Sequence, residues 1–156
     1  MAKVRKTSFS GEIKRKFKKG LVGVEKKDEV WEVKLEPERL VDVAKWLLEK
    51  GFSYFSFVTA VDRKKTFELF YHLVEPRGGE KVFLRTEISR RKPSISSVTS
   101  IWSGADWHER EVYDLFGISF EGHPNLKRLL LKDDFKGYPL RKDYKNPEMV
   151  KRPDYF

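Results

Sequence analysis

Residues 37–88, PERLVDVAKWLLEKGFSYFSFVTAVDRKKTFELFYHLVEPRGGEKVFLRTEI, decide the fold class. Pro37 suits the first position of a helix, where the N–H it lacks has no intrahelical acceptor anyway. Leu40, Val43, Ala44, Leu47 and Leu48 then recur at i, i+3, i+4, i+7 and i+8, the stripe one helix face presents to a core, and Gly51 supplies a stop. Three runs rich in aromatic and β-branched residues follow at 52–61, 66–74 and 81–88. Turn-forming residues separate them at 62–65 and 75–80, so the three runs read as strands.

Toward the N-terminus, Ser10 is predicted to cap a short helix ending at Gly20, with Phe9, Ile13 and Phe17 stacked at four-residue spacing. Residues 21–25 and 30–35 predict a hairpin around 26–29, because Trp31, Val33 and Leu35 alternate with Glu32 and Lys34. The order helix, hairpin, helix, three strands predicts an α+β class: a two-layer domain with helices packed on a mixed β-sheet.

Toward the C-terminus the third strand leaves through Ser89, Arg90, Arg91 and Lys92 into Pro93. Ser103 followed by Asp106 matches a helix-capping pattern and Gly117 a stop, which predicts a helix over 104–116. On it Trp107, Arg110, Glu111 and Asp114 share one face, while Ala105, Val112, Leu115 and Phe116 populate the apolar side. Beyond Gly117 the periodicity fades, apart from 129–131, and four of the seven prolines are found there. Such a segment cannot build its own core, so an extended irregular C-terminal arm is predicted, wrapping the domain or lying along a partner. The expected organisation is a basic N-terminal extension over 1–10, an α+β domain over 11–120 and a partner-contacting arm over 121–156.

Composition narrows the function. With 156 residues one domain is the natural count, and with no cysteine the chain offers no disulfide, no thiolate metal site, no Cys-ligated iron–sulfur cluster and no Cys nucleophile. The longest uncharged runs, 51–61 and 93–105, are too short to span a bilayer, and the basic start has no apolar stretch behind it. A soluble intracellular domain is the expectation. Lys (21) and Glu (15) dominate the charged set, Gln is absent and Asn and Met occur twice each, a composition that predicts a hyperthermophilic source. The net charge of +9 is uneven: residues 1–20 carry +7, residues 21–120 carry −1, and residues 121–156 carry +3. A basic end of this kind serves nucleic acid, an anionic membrane, an acidic protein or simply a solvated helix face. A basic nucleic-acid-binding α+β module is therefore the alternative reading.

Motifs for catalysis are weak. His108-Glu109 lacks the second His one turn on that a zinc-protease helix needs, since position 112 is Val. His72 and His123 fall on other elements, and the glycines lack phosphate-loop spacing. Glu111 and Asp114 could do acid–base work if one were buried, but fixed ion pairs are the better reading. Arg128 or Arg141 forking onto Glu111 or Asp114 is one such pairing.

The decisive block is Glu109-Arg110-Glu111-Val-Tyr-Asp114-Leu-Phe-Gly117-Ile, then Phe120-x-Gly122-His123-Pro124, then Arg128-x-Leu-Leu and Gly137-Tyr-Pro139-Leu140-Arg141-Lys-Asp143-Tyr144. It resembles the signature of the thirty-kilodalton subunit family of respiratory complex I. Ser97-Val98, Trp102 and Ala105-Asp-Trp107 fit the run leading into it, and the resemblance spans roughly residues 12–145. The family's members are peripheral-arm subunits without a cofactor, so the resemblance implies no catalytic, cofactor-binding or metal-binding residue here. It implies that Trp107, Glu109, Arg110, Glu111, Asp114, Gly117, His123, Pro124, Arg128, Pro139, Leu140, Arg141 and Asp143 act as structural and interface positions. The implied partners are a large subunit homologous to the nickel–iron hydrogenase catalytic chain and neighbouring iron–sulfur subunits, with no nucleic acid. The implied setting is a complex I-related NADH:quinone oxidoreductase, a membrane-bound hydrogenase or a sulfur-reducing complex. Membrane association would come only through that complex, on the cytoplasmic side.

Overall fold

The computed structural model describes residues 8–146; residues 1–7 of the basic extension and residues 147–156 of the arm lie outside it. Helix α1 (Phe9–Lys16) is capped by Ser8, whose hydroxyl accepts the Gly11 amide, not by Ser10 as the sequence suggested. It ends near Phe17, before Gly20, and one apolar side chain from each turn is enough to seat it: Ile13 is buried and Phe9 packs on Trp31, Trp46 and Phe52. Strands β1 (Leu21–Lys27) and β2 (Val30–Leu35) form the hairpin, closed by only two residues. Asp28 and Glu29 both take positive φ (44° and 67°), the twist a two-residue turn demands, so the strands run further into the turn than the composition implied.

Pro37 opens a short 3-10 turn (Pro37–Arg39) that runs into α2 (Leu40–Glu49). Leu40, Val43, Ala44 and Leu47 are buried as the stripe required, but Leu48 is 39% exposed and Trp46 is buried in its place. The reason is lateral: α1 lies beside α2, and Phe9 and Phe17 close over the Trp46 ring at 5.6 and 6.0 Å.

Strands β3 (Tyr54–Asp62), β4 (Thr66–Val74) and β5 (Lys81–Ser89) complete a five-stranded sheet of order β1-β2-β5-β4-β3. The β2–β5 pair is parallel and the others antiparallel, so the sheet is mixed and the α+β class holds. A bulge between Phe55 and Phe57 resets the alternation, which lets Phe55 and Val58 both face the core. Its covered face carries Val58, Ala60, Phe67, Leu69, Tyr71, Leu73, Val82, Leu84 and Ile88. The opposite face carries an ion network in which Arg63 and Arg85 hold Glu68, and Arg85 also reaches Glu32 at 3.0 Å. After β5 a short strand β6 (Ser94–Ser96) pairs in parallel with β7 (Ser119–Glu121), and helix α3 (Ala105–Phe116) connects them. Residues 122–146 contain no helix or strand and run as a strap back over α3 and the end of the sheet. No helix among the described residues is long and apolar enough to cross a membrane.

Candidate functional site

The site is α3 with the strap bound to it. The helix begins at Gly104 without a side-chain cap, so Ser103 does not fill the role its spacing suggested; only its carbonyl is used, by the Asp106 amide at 3.3 Å. Anchorage comes instead from Trp102, whose indole N–H donates to the Phe52 carbonyl at 3.0 Å. The helix face that the sequence marks as polar is divided. Trp107 and Glu111 are exposed, whereas Arg110 and Asp114 are buried beneath the strap.

Asp114 is the hub. Its Oδ1 accepts Arg128 Nη1 at 2.7 Å, and its Oδ2 accepts the backbone amides of Leu129, Leu130 and Leu131 at 3.0, 2.8 and 2.9 Å. Burial works to raise its pKa, but the Leu131 and Leu130 amides, Arg128 and the Leu129 amide outweigh that and hold it below the ordinary 3.8. The apolar run at 129–131 is thus bound through its backbone, leaving Leu130 62% exposed. Arg128 makes the expected pair with Asp114, though not as a fork: its other terminal nitrogen donates to the Phe135 carbonyl at 3.0 Å.

Arg141 departs from expectation. It binds no signature acid; its Nε donates to the Phe116 carbonyl at 2.6 Å and its guanidinium stacks on Tyr138 and Phe67 at 4.7 and 5.3 Å. The Leu140 amide adds a bond to the Leu115 carbonyl at 3.2 Å. The last carbonyls of α3, which have no partner within the helix, are therefore satisfied by the strap, and a cation sits at the negative end of the helix dipole. Gly117 makes this approach possible. Its φ is 68°, and a Cβ there would lie 2.5 Å from the Tyr138 ring. Gly117→Ala is expected to lower stability by about 2 kcal/mol or more, read by urea unfolding, and to speed tryptic cleavage within the strap. Unchanged stability and cleavage would show that Tyr138 yields without loss.

The remaining positions bind locally. Arg110 lies over the Trp107 ring at 5.2 Å and donates to the carbonyls of Lys127 and Arg128 at 3.3 and 3.2 Å. His123 Nδ1 accepts the Asn125 amide at 3.0 Å, so Nε2 carries the proton and points at Asp106, whose backbone carbonyl and carboxylate are each 3.3 Å away. Pro124 follows in that exposed turn, and Pro139 precedes Leu140, which is 51% exposed. Asp143 pairs with Arg90.

Asp62 was not among the expected positions, and the full burial of Glu109 was not expected. Asp62, at the end of β3, is buried; it takes the Lys142 amide at 2.9 Å, the Lys64 amide at 2.7 Å and Arg90 at 3.0 Å, and so ties down the strap's far end. The signal was present, since Asp62 falls at an inward position after Val58 and Ala60. Glu109, on the opposite side of α3 from the strap, is wholly buried and accepts Ser97 Oγ at 2.6 Å and the Val98 amide at 2.8 Å. Burial lifts its pKa, with the Asp106 charge adding and the Ser97 and Val98 bonds opposing, to about 7. Among the described residues no three His, Asp or Glu side chains gather where they could hold a metal ion.

The family described as the respiratory-chain NADH dehydrogenase 30 Kd subunit matches residues 33–150. This chain belongs to that family. The 30-kilodalton-subunit match begins within β2 and takes in α2, the central strands, α3 and the whole described strap. The C-type subunit of the NADH-quinone oxidoreductase from Roseiflexus castenholzii is 43% identical over 117 residues, 71% of this chain and 67% of that protein. Its counterpart from Roseiflexus sp. is 42% identical over the same shares. Among solved structures, a trypsin-resistant fragment (1–134) of Nqo5 is 32% identical with a TM-score of 0.61, covering 67% of this chain and 89% of that one. A chain of the membrane-bound sulfane sulfur reductase, an archaeal respiratory membrane complex, is 28% identical with a TM-score of 0.76, covering 86% and 82%.

Proposed function

We propose that this 30-kilodalton-family chain is a non-catalytic, peripheral-arm subunit of a complex I-related membrane-bound oxidoreductase, and that it braces the large nickel–iron-hydrogenase-like subunit. The observation that carries this reading is the set of exposed apolar side chains on α3 and the strap: Trp107, Leu130 and Leu140, 61%, 62% and 51% exposed. Each is tied in place by a contact of its own: Arg110 lies over the Trp107 ring, Asp114 accepts the Leu130 amide and the Leu115 carbonyl accepts the Leu140 amide. Preorganised anchors of this kind lose little entropy on docking, and aromatic and aliphatic anchors ringed by fixed charges are what interface centres use. The fixed polar groups of the site are spent on positioning the strap, which suits a brace better than a turnover site. The complex would hold the chain at the cytoplasmic side of the membrane, and residues 121–156 would be the partner-contacting arm.

The test is co-purification from the source cells. A tagged wild-type chain is expected to recover the large subunit with iron–sulfur subunits, and Trp107→Asp/Leu140→Asp to recover at least about tenfold less with an unchanged unfolding midpoint. Equal recovery by wild type and variant would overturn the assignment of this surface.

A further inference from the structure

Where the strap ends, the β3–β4 turn, the exit of β5 and residues 141–143 enclose an open cleft of about 650 Å³ lined by Lys64, Lys65, Arg90, Arg91, Arg141 and Asp143. Five cations face one carboxylate, in a chain whose residues 21–120 are otherwise balanced in charge. Two of the five have structural work. Arg90 pairs with Asp62 and Asp143 and donates to the Lys64 carbonyl at 3.1 Å, and Arg141 caps α3. The cationic side chains of Lys64, Lys65 and Arg91 make no ion pair among the described residues, unlike those of Arg63 and Arg85, each held by Glu68 on the far face of the sheet. Gathering like charges repels and destabilises, so a surplus of three cations at one concavity implies an anionic occupant.

We propose that this cleft receives an acidic segment of the partner that lies along the strap, which rests on the brace reading above. Asp143 displays the recognised chemistry, a carboxylate seated on Arg90 within the cleft. The position also fits, because the exposed Leu140 anchor immediately precedes Arg141 in the cleft wall. A lone phosphate is the poorer match: the lining comes from long side chains on three separate segments, not from a cradle of backbone amides. Several carboxylates spaced along a chain can engage such dispersed cations at once, giving partner selectivity and a fast, salt-dependent approach.

The test pairs two measurements on the full chain. A fluorescent oligoglutamate peptide, followed by anisotropy at low salt, is expected to bind Lys64→Glu/Arg91→Glu at least about tenfold more weakly than wild type. Inorganic phosphate at matched ionic strength should compete poorly, and phosphatidylglycerol vesicles should bind wild type and variant alike. Equal peptide binding by both, or discrimination by the vesicles alone, overturns the proposal; the second outcome would make the cleft a lipid site. In co-purification, the variant's complex is expected to dissociate at lower salt than the wild type's. If wild type itself recovers no large subunit, the brace reading fails; if wild type and variant hold it to the same salt concentration, the cleft assignment alone fails.

Discussion

Asp114→Ala is expected to destabilise the fold by about 3–5 kcal/mol, a fall in Tm of roughly 10 °C for a domain of this size. Truncation leaves the Arg128 guanidinium and three strap amides without the carboxylate that now accepts all four. Buried donors that lose their acceptor forfeit the whole desolvation cost, well beyond the net value of the bonds. The carboxyl's folded pKa lies below 3.8, so its contribution is complete at higher pH and is lost as pH falls through that lowered value. The gap between wild type and variant should therefore be full at neutral pH and narrow in strong acid. Thermal unfolding at neutral and acid pH checks this; a neutral-pH midpoint matching wild type would mean that the strap's bonds are replaced by water without loss.

Glu109→Gln is expected to act in the opposite direction. The carboxyl's pKa rises from 4.5 in the open chain to about 7 in the fold, so between those values the unfolded state loses its proton first. Stability conferred by the protonated group is complete below pH 4.5 and declines as pH rises through about 7, by about 3 kcal/mol in all. A glutamine oxygen can still accept the Val98 amide and its NH₂ can donate to Ser97 Oγ, whose own proton turns to Thr99. At pH 8 the variant should be more stable than wild type by about 3 kcal/mol, with the two converging near pH 4. Urea unfolding across that range is the measurement, and parallel pH profiles would show that solvent reaches Glu109 in the folded state. Tyr71 lies close enough to feel the Glu109 charge, and among the described residues its buried hydroxyl has no hydrogen-bond partner. This side of α3 is therefore poorly equipped to hold a negative charge, whereas the Asp114 side is built for one.

Much of the fold was legible because local patterns agreed with it. The α2 stripe, the three strand runs, and Gly51 and Gly117 as stops all report burial or backbone geometry that each segment expresses by itself. The misses differ in cause. Trp46 in place of Leu48 depends on α1 lying alongside, which periodicity does not encode, whereas Ser8 in place of Ser10 is a local choice between two capping residues two positions apart. In the candidate site, the pairing of Arg128 with Asp114 followed from charge type. The diversion of Arg141 to the Phe116 carbonyl did not, because an arginine near two acids and a helix end has competing acceptors within reach.

The sequence by itself determined the α+β class and the family, since hydrophobic period, turn chemistry and a long motif are properties of the chain in one dimension. Tertiary structure alone decided which acid has its pKa raised and which has it lowered. Glu109 and Asp114 lie on one helix, but one faces a dry core and the other a ring of amides and a guanidinium. A pKa is set by the surroundings that folding assembles around a group, and those surroundings come from segments remote in the chain.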